Sequence, residues 1–240
     1  MSAEIQDDYF ENSRKFGSRG IVLPGILGRF KKSFIAPRIF KLLKNYEFYC
    51  PKVEGRILDL GFGEGSFLDY CGKDRVTGVE LLDKEVMKRK KMGFSVIKHD
   101  LNHTPLPLED NSFDLVYCAH VIEHLREPEA LVMETHRVLR GGGKAVFLAP
   151  DITRLRTFYD DYTHIRPFTL MGATRLFADH GFEIETAGYG CFPGRFPHLM
   201  LLTSALLWAA VILPKPASQL IMRKIMPFFS FEFYVIARKT

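Results

Sequence analysis

The chain has 240 residues, 47% hydrophobic and 25% charged, enough for one full α/β domain with additions. Its four cysteines, Cys50, Cys71, Cys118 and Cys191, include no C-x-x-C pair, which excludes a zinc knuckle or a thioredoxin-type redox pair. The formal net charge of +5 is concentrated: ten Lys/Arg and a single acid, Glu47, lie between Arg14 and Lys52, and a second basic run spans Lys84 to Lys91. Such runs attract nucleic acid or an anionic membrane surface, or are simply solvated helix faces. The first eight residues are acidic and polar, unlike a signal peptide, so a cytoplasmic location is expected.

In chain order, residues 1–52 read as a basic, aromatic helical cap, broken at Pro24, Gly25 and Pro37. Residues 53–190 alternate short apolar runs with amphipathic ones. Strands are expected at 56–60, 75–80, 94–98, 112–118 and 144–149. Helices are expected from Ser66 to Cys71, from 83 to 92 with Asp83 as N-cap, from Pro128 to Arg140 stopping at Gly141-Gly142-Gly143, and from Leu170 to His180. Two more strands are expected at 182–186 and 231–237. Strands alternating with helices predict a doubly wound, mostly parallel seven-stranded sheet covered on both faces. Residues 191–240 hold an apolar helical insertion before the last strand.

The first strand runs into Gly61-x-Gly63-x-Gly65 and then directly into a helix. In doubly wound sheets ligands bind at the carboxyl ends of strands, where strand order reverses. Glycine permits positive φ and close approach of a ligand to the backbone. Glu80 ends the second strand, where a carboxylate can accept from ribose hydroxyls. A dinucleotide turn reads G-x-G-x-x-G, whereas here the third glycine comes one position early. Asp59 stands just before the turn, where its charge would repel a pyrophosphate and suit an ammonium.

This turn resembles the first motif of the class I S-adenosylmethionine-dependent methyltransferases, in the type 11-like subgroup with Asp-x-Gly-x-Gly-x-Gly. The similarity extends over about 53–190. It includes Leu106-Pro107-Leu108-Glu109-Asp110-Asn111-Ser112-Phe113-Asp114-Leu115-Val116, Val121-Ile122-Glu123-His124-Leu125 and Arg137-Val138-Leu139-Arg140-Gly141-Gly142-Gly143. Phe62 departs from the cysteine that many members carry. The resemblance implies a Rossmann-like fold and S-adenosylmethionine as cofactor. It implies that Asp59, Gly61, Phe62, Gly63 and Gly65 sit by the methionine moiety, and that Glu80 with Leu81 meets the ribose. It further implies that Asp100 and Leu101 meet the adenine, and that Cys118 and Ala119 line the methionine end. Asp114 reads as structural.

Methyl transfer needs alignment and exclusion of water, and a base only when the acceptor is protonated. His120, Glu123 and His124 would share one helical face, and His164 follows the fifth strand, so the four could meet over the methyl group. Three readings stay open: His164 or His120, with His124 beside them, as catalytic groups for a hydroxyl acceptor; a divalent-metal site of all four, resembling loosely the small-RNA 3′-end and ubiquinone-pathway methyltransferases; or a packing feature with no metal.

The segment 199–213 is nearly uncharged. As a helix it would span roughly 22 Å, short of a bilayer core of about 30 Å. It could be a buried helix, a homodimer interface or a membrane-facing lid. Arg195, His198, Lys215, Arg223 and Lys224 flank it, and together with the basic cap they suggest peripheral contact with anionic lipid at the inner face of a membrane. The leading expectation is methylation, at oxygen, of a small molecule such as a lipid, quinone or glycan precursor. RNA methylation and a non-catalytic S-adenosylmethionine-binding scaffold are the alternatives.

Overall fold

The computed structural model describes residues 46–50, 55–154, 158–190 and 230–240, with the single positions 209, 217 and 220. Most of the expected N-terminal cap, and nearly all of the apolar insertion with its flanking basic residues, lie outside the described residues. Among the described residues no helix is long and apolar enough to cross a membrane.

A short helix α1 (Tyr46–Tyr49) precedes β1 (Ile57–Leu60), α2 (Ser66–Cys71), β2 (Val76–Glu80), α3 (Asp83–Lys91) and β3 (Ser95–Lys98). Then come β4 (Phe113–Ala119), a 3-10 turn (Ile122–His124), α4 (Pro128–Val138), β5 (Leu139–Pro150), a second 3-10 turn (Phe158–Asp160), α5 (Leu170–Asp179), β6 (Phe182–Tyr189) and β7 (Glu232–Lys239). The seven strands form one sheet in the order β3-β2-β1-β4-β5-β7-β6. β1 pairs parallel with β2 and β4, while β7 runs antiparallel to both β5 and β6. The chain leaves β1 in one direction for β2 and β3, then returns to build β4 and β5 on its other side. The strand order therefore reverses between β1 and β4, where the loops after both strands part and leave a crevice.

Alternation along the strands builds two cores. Leu58, Leu60, Val116, Cys118, Phe147 and Val235 pack on one face with Leu131 and Val132 of α4 and Phe177 of α5. Ile57, Leu115, Tyr117, Val146 and Ile236 pack on the other with Phe67 and Leu68 of α2 and Val86 of α3. Each such buried side chain contributes about 1.5–3 kcal/mol relative to exposure.

Two expected boundaries are corrected. α3 begins with Leu82 as N-cap and Asp83 already helical; the Asp83 carboxylate pairs with Lys98 at 3.0 Å instead of capping. α4 ends at Val138, and Gly141–Gly143 fall inside β5 rather than in a loop before it. There Leu139 pairs with Phe113 but Lys144 with Leu115, so the glycines bulge from the ladder, with Gly142 at φ 78°.

Candidate functional site

The carboxyl edge of the sheet gathers the ends of β1, β2 and β4, and also Glu232, which pairs with Pro150 at the end of β5. At the reversal point lies a cleft of about 290 Å³ lined by Asp59, Gly61, Phe62, Gly63 and Glu64 from β1 and its turn. Ser66 and Phe67 of α2, Tyr117, Ala119 and His120 at the end of β4, and Tyr46 of α1 complete it. Tyr46, Phe67 and Tyr117 form an aromatic wall: Phe67 stacks on Tyr117 at 4.0 Å and Tyr46 meets Phe67 edge-on at 5.2 Å. Sequence reasoning passed over this wall because each ring, read alone, looks like core.

The turn is held in left-handed backbone, with Gly61, Gly63 and Gly65 at φ 71°, 51° and 77°. At Gly61 a Cβ would also collide with Val121 Cγ2. Two charged side chains brace the turn. Glu80 accepts from Gly63 N at 2.8 Å through one oxygen, and from Leu81 N at 2.7 Å and Leu82 N at 3.1 Å through the other. Burial lifts its carboxyl above the ordinary value, and those three backbone donors oppose the rise. Arg89 of α3, buried, donates to Asp69 in bidentate fashion at 2.5 and 3.1 Å and to the Glu64 carbonyl. Arg89→Ala is expected to lower stability by about 1–2 kcal/mol, mainly through the lost bond to the turn and the lost contact with the Phe94 ring, since Asp69 is largely exposed. Urea unfolding at neutral pH reads this directly.

Asp59 is 2% exposed, and its Oδ2 lies buried with no hydrogen-bond partner. Burial first, and the Glu80 charge second, push its carboxyl well above the ordinary value, against a lowering by Arg89. A buried carboxylate without a donor is costly unless a cation meets it. Its place in the cleft suits the ammonium of a methionine moiety, the group that the turn's resemblance implies.

The expected site residues divide. Asp59, Gly61, Phe62, Gly63 and Ala119 line the cleft, while Gly65, Glu80 and Leu81 are not among its lining residues. Asp100 accepts from Asn102 N at 2.9 Å in its own turn, and Leu101 is packed in the core. Cys118 is corrected: strand alternation turns Tyr117 and Ala119 toward the cleft and Cys118 into the opposite core.

The histidines are also rearranged. His120 lies on no helix; it takes φ 55°, and only Ile122–His124 is helical. It lines the cleft with Nε2 at 3.1 Å from Glu232 and Nδ1 at 3.5 Å from Glu123, both carboxylates buried. Desolvation disfavours its charge, though only in part because the side chain is 46% exposed, and the two carboxylates prevail and lift its pKa to about 10. With both ring nitrogens facing acceptors, His120 has no lone pair to take a proton, which corrects its reading as a base. His124 and His164 meet each other, ring centroids 4.8 Å apart, but neither is among the cleft-lining residues. Glu232, 112 positions from His120, carried no local signal in the sequence.

Comparison with known proteins agrees with this geometry. Residues 58–147 match the family model of a methyltransferase domain. An uncharacterized methyltransferase of Schizosaccharomyces pombe is 32% identical over 132 residues, covering 48% of this chain and 47% of that protein. A phosphatidylethanolamine N-methyltransferase of Cereibacter sphaeroides is 33% identical over 101 residues, covering 39% of this chain and 50% of that protein. The chain spans about half the length of the curated relatives it matches. Among solved structures, a Thermotoga maritima S-adenosylmethionine-dependent methyltransferase, described as a possible histamine N-methyltransferase, superposes with a TM-score of 0.61. The two are 21% identical, and the match covers 90% of this chain and 96% of that one.

Proposed function

Because this chain carries a domain of the class I S-adenosylmethionine-dependent methyltransferases, we propose that it transfers a methyl group from S-adenosylmethionine to a small acceptor. The buried, unpartnered oxygen of Asp59 in the cleft carries the reading. When bound, S-adenosylmethionine supplies an activated sulfonium methyl. Asp59 would hold its ammonium, Gly61 and Gly63 would let its chain approach the backbone, and Tyr46, Phe67 and Tyr117 would shield it from water. Glu80 and Asp100, at the ends of β2 and β3, would hold its ribose and adenine.

The acceptor is read as an oxygen of a lipid, quinone or glycan precursor. His120, its two N–H groups held by Glu123 and Glu232 at the cleft wall, would orient a polar head group through its positive charge. A lipid acceptor, though not the choice of oxygen, is supported by the Cereibacter relative, whose name assigns it N-methylation of phosphatidylethanolamine. It is also supported by Tyr159, Tyr162 and Ile165, which stand exposed on the loop after β5. On this reading the protein works as a peripheral protein at the inner membrane face. Flotation with anionic vesicles is expected to carry part of the protein upward, and Tyr159→Ser with Tyr162→Ser to reduce that fraction; full retention in the soluble layer argues against lipid contact.

Calorimetric titration with S-adenosylmethionine and S-adenosylhomocysteine tests the main reading, followed by labelled methyl transfer to extracted lipids and quinones. Absence of heat with both ligands overturns it.

A further inference from the structure

Beyond β3 the chain turns through Asp100, Leu101 and Asn102. Lys98 pairs with Glu80 in the sheet, and His99 N donates to the Glu80 carbonyl at 3.0 Å, so this turn stands beside the end of β2. Leu101, packed in the core, anchors it. Asp100 Oδ1 takes two hydrogen bonds from a single residue, Asn102 N at 2.9 Å and Asn102 Nδ2 at 3.1 Å. Among the described residues Oδ2 is left with only the His103 ring, a largely exposed side chain whose Nδ1 is 3.4 Å away.

The other end of the Asn102 amide faces the loop after β4, where Oδ1 accepts from Arg126 N at 3.0 Å. The Arg126 carbonyl accepts from Arg166 Nε at 3.0 Å and from Arg166 Nη2 at 2.6 Å. Arg166 N in turn donates to the Glu123 carbonyl at 3.0 Å. One path of hydrogen bonds therefore runs from Asp100 through Asn102 and Arg126 to Arg166, across the loops that follow β3, β4 and β5. Polarity makes the choice of residues specific. A carboxylate only accepts and a peptide N–H only donates, so a side-chain amide fits between them and its isosteric carboxylate does not. A guanidinium fork sets two N–H groups on one carbonyl, which a lysine cannot do. Bonds at the surface add little to stability one by one. What these fix is direction: with Oδ1 held twice, Oδ2 is the oxygen left to accept from a ligand.

We propose that Asn102 is a positioning residue that sets Asp100 for the adenine of the bound donor, and that Arg166, acting through the Arg126 peptide, ties this setting to the loop after β5. The inference rests on the donor reading given above. Adenine offers its 6-amino group as a hydrogen-bond donor, and Oδ2 of Asp100 is an acceptor. A purine with a carbonyl at that carbon sets acceptor against acceptor and is refused. The loop after β5 carries the exposed Tyr159, Tyr162 and Ile165. An acceptor that touches that loop and a donor base held at Asp100 thus bear on the same path of bonds.

The test compares S-adenosylhomocysteine with S-inosylhomocysteine, which has a carbonyl where adenine has its amino group, by calorimetry on the full chain. The wild-type protein is expected to prefer the adenosyl ligand by about 100-fold. In Asn102→Asp the new side chain is isosteric but cannot donate to Asp100, and the preference is expected to fall by about 10-fold or more; in Arg166→Gln it is expected to fall by about 3-fold. Both positions are exposed, so the substitutions leave the core intact. Each preference is a ratio within one preparation, so an unfolded fraction cancels. Equal affinity of the wild-type protein for the two ligands, or an unchanged ratio in Asn102→Asp, overturns the role of Asn102. An unchanged ratio in Arg166→Gln overturns the tie to the loop after β5. Absence of binding of either ligand overturns the donor reading as well, whereas binding without discrimination strikes this inference alone.

Discussion

Replacing Asp59 by asparagine is expected to weaken S-adenosylmethionine binding by about 100-fold or more, while stabilising the free protein. Removing one partner of a buried charge pair costs about 3 kcal/mol in affinity, which is about a factor of 100. In the free protein the same carboxylate has no compensating donor for Oδ2, so its neutral isostere should raise stability by about 1–3 kcal/mol. The pH dependences run in opposite directions. Because the folded carboxyl holds its proton more tightly than the unfolded one, its contribution to stability is full at low pH and is lost as pH rises through the raised value. Holding an ammonium needs the ionised form, so affinity falls as pH drops through that value. Asp59→Asn should remove both slopes. Calorimetry across pH, with urea unfolding in parallel, measures them, and unchanged affinity would mean that the carboxylate faces no cation.

The second large effect is expected for Gly61→Val. A β-branched residue at φ 71° costs about 1–2 kcal/mol or more in backbone strain, and its Cβ would displace Val121 next to His120. The Gly61 N–H that donates to the Val79 carbonyl at 2.8 Å would shift with it. We expect a loss of about 3 kcal/mol in stability and of binding by about 1,000-fold. Gly72→Ala is the matched control: it also has positive φ, 84°, but nothing lies within 4 Å of its Cβ. It should cost only about 1 kcal/mol and leave binding intact. Equal losses in the two variants would show that strain alone, not the crowded turn, governs the result.

What could be read from the sequence follows the range of the forces involved. The turn was legible because the requirement for positive φ is local, and β1 and β2 because a buried strand is a short apolar run. Gly141–Gly143 misled by the same logic: the helix does end nearby, but three glycines can bulge within a ladder when β4 and β5 fix its two ends. His120 was misplaced because helical spacing was applied to residues that turn through positive φ. Cys118 was misplaced because a motif names neighbours, whereas the pleat decides which of them faces the ligand. Glu232 was not legible at all, since its meeting with His120 depends on β7 lying beside β5, a fact of topology rather than of pattern.

The position of β7 also orders events during synthesis. Among the described residues β6 reaches the rest of the sheet only through β7, and β7 is translated about forty residues after β6, at Glu232–Lys239. A nascent chain can pair β1 to β5 while β6 still has no neighbour to join, and β5 keeps an open, hydrogen-bonding edge. Closing that gap is a late, long-range event of the kind that is slow and leaves edges open to chaperones or to other chains. Since Glu232 arrives with the same strand, His120 gains its second carboxylate only when the sheet is complete, so a ribosome-bound intermediate would hold a formed donor turn beside an unfinished acceptor wall.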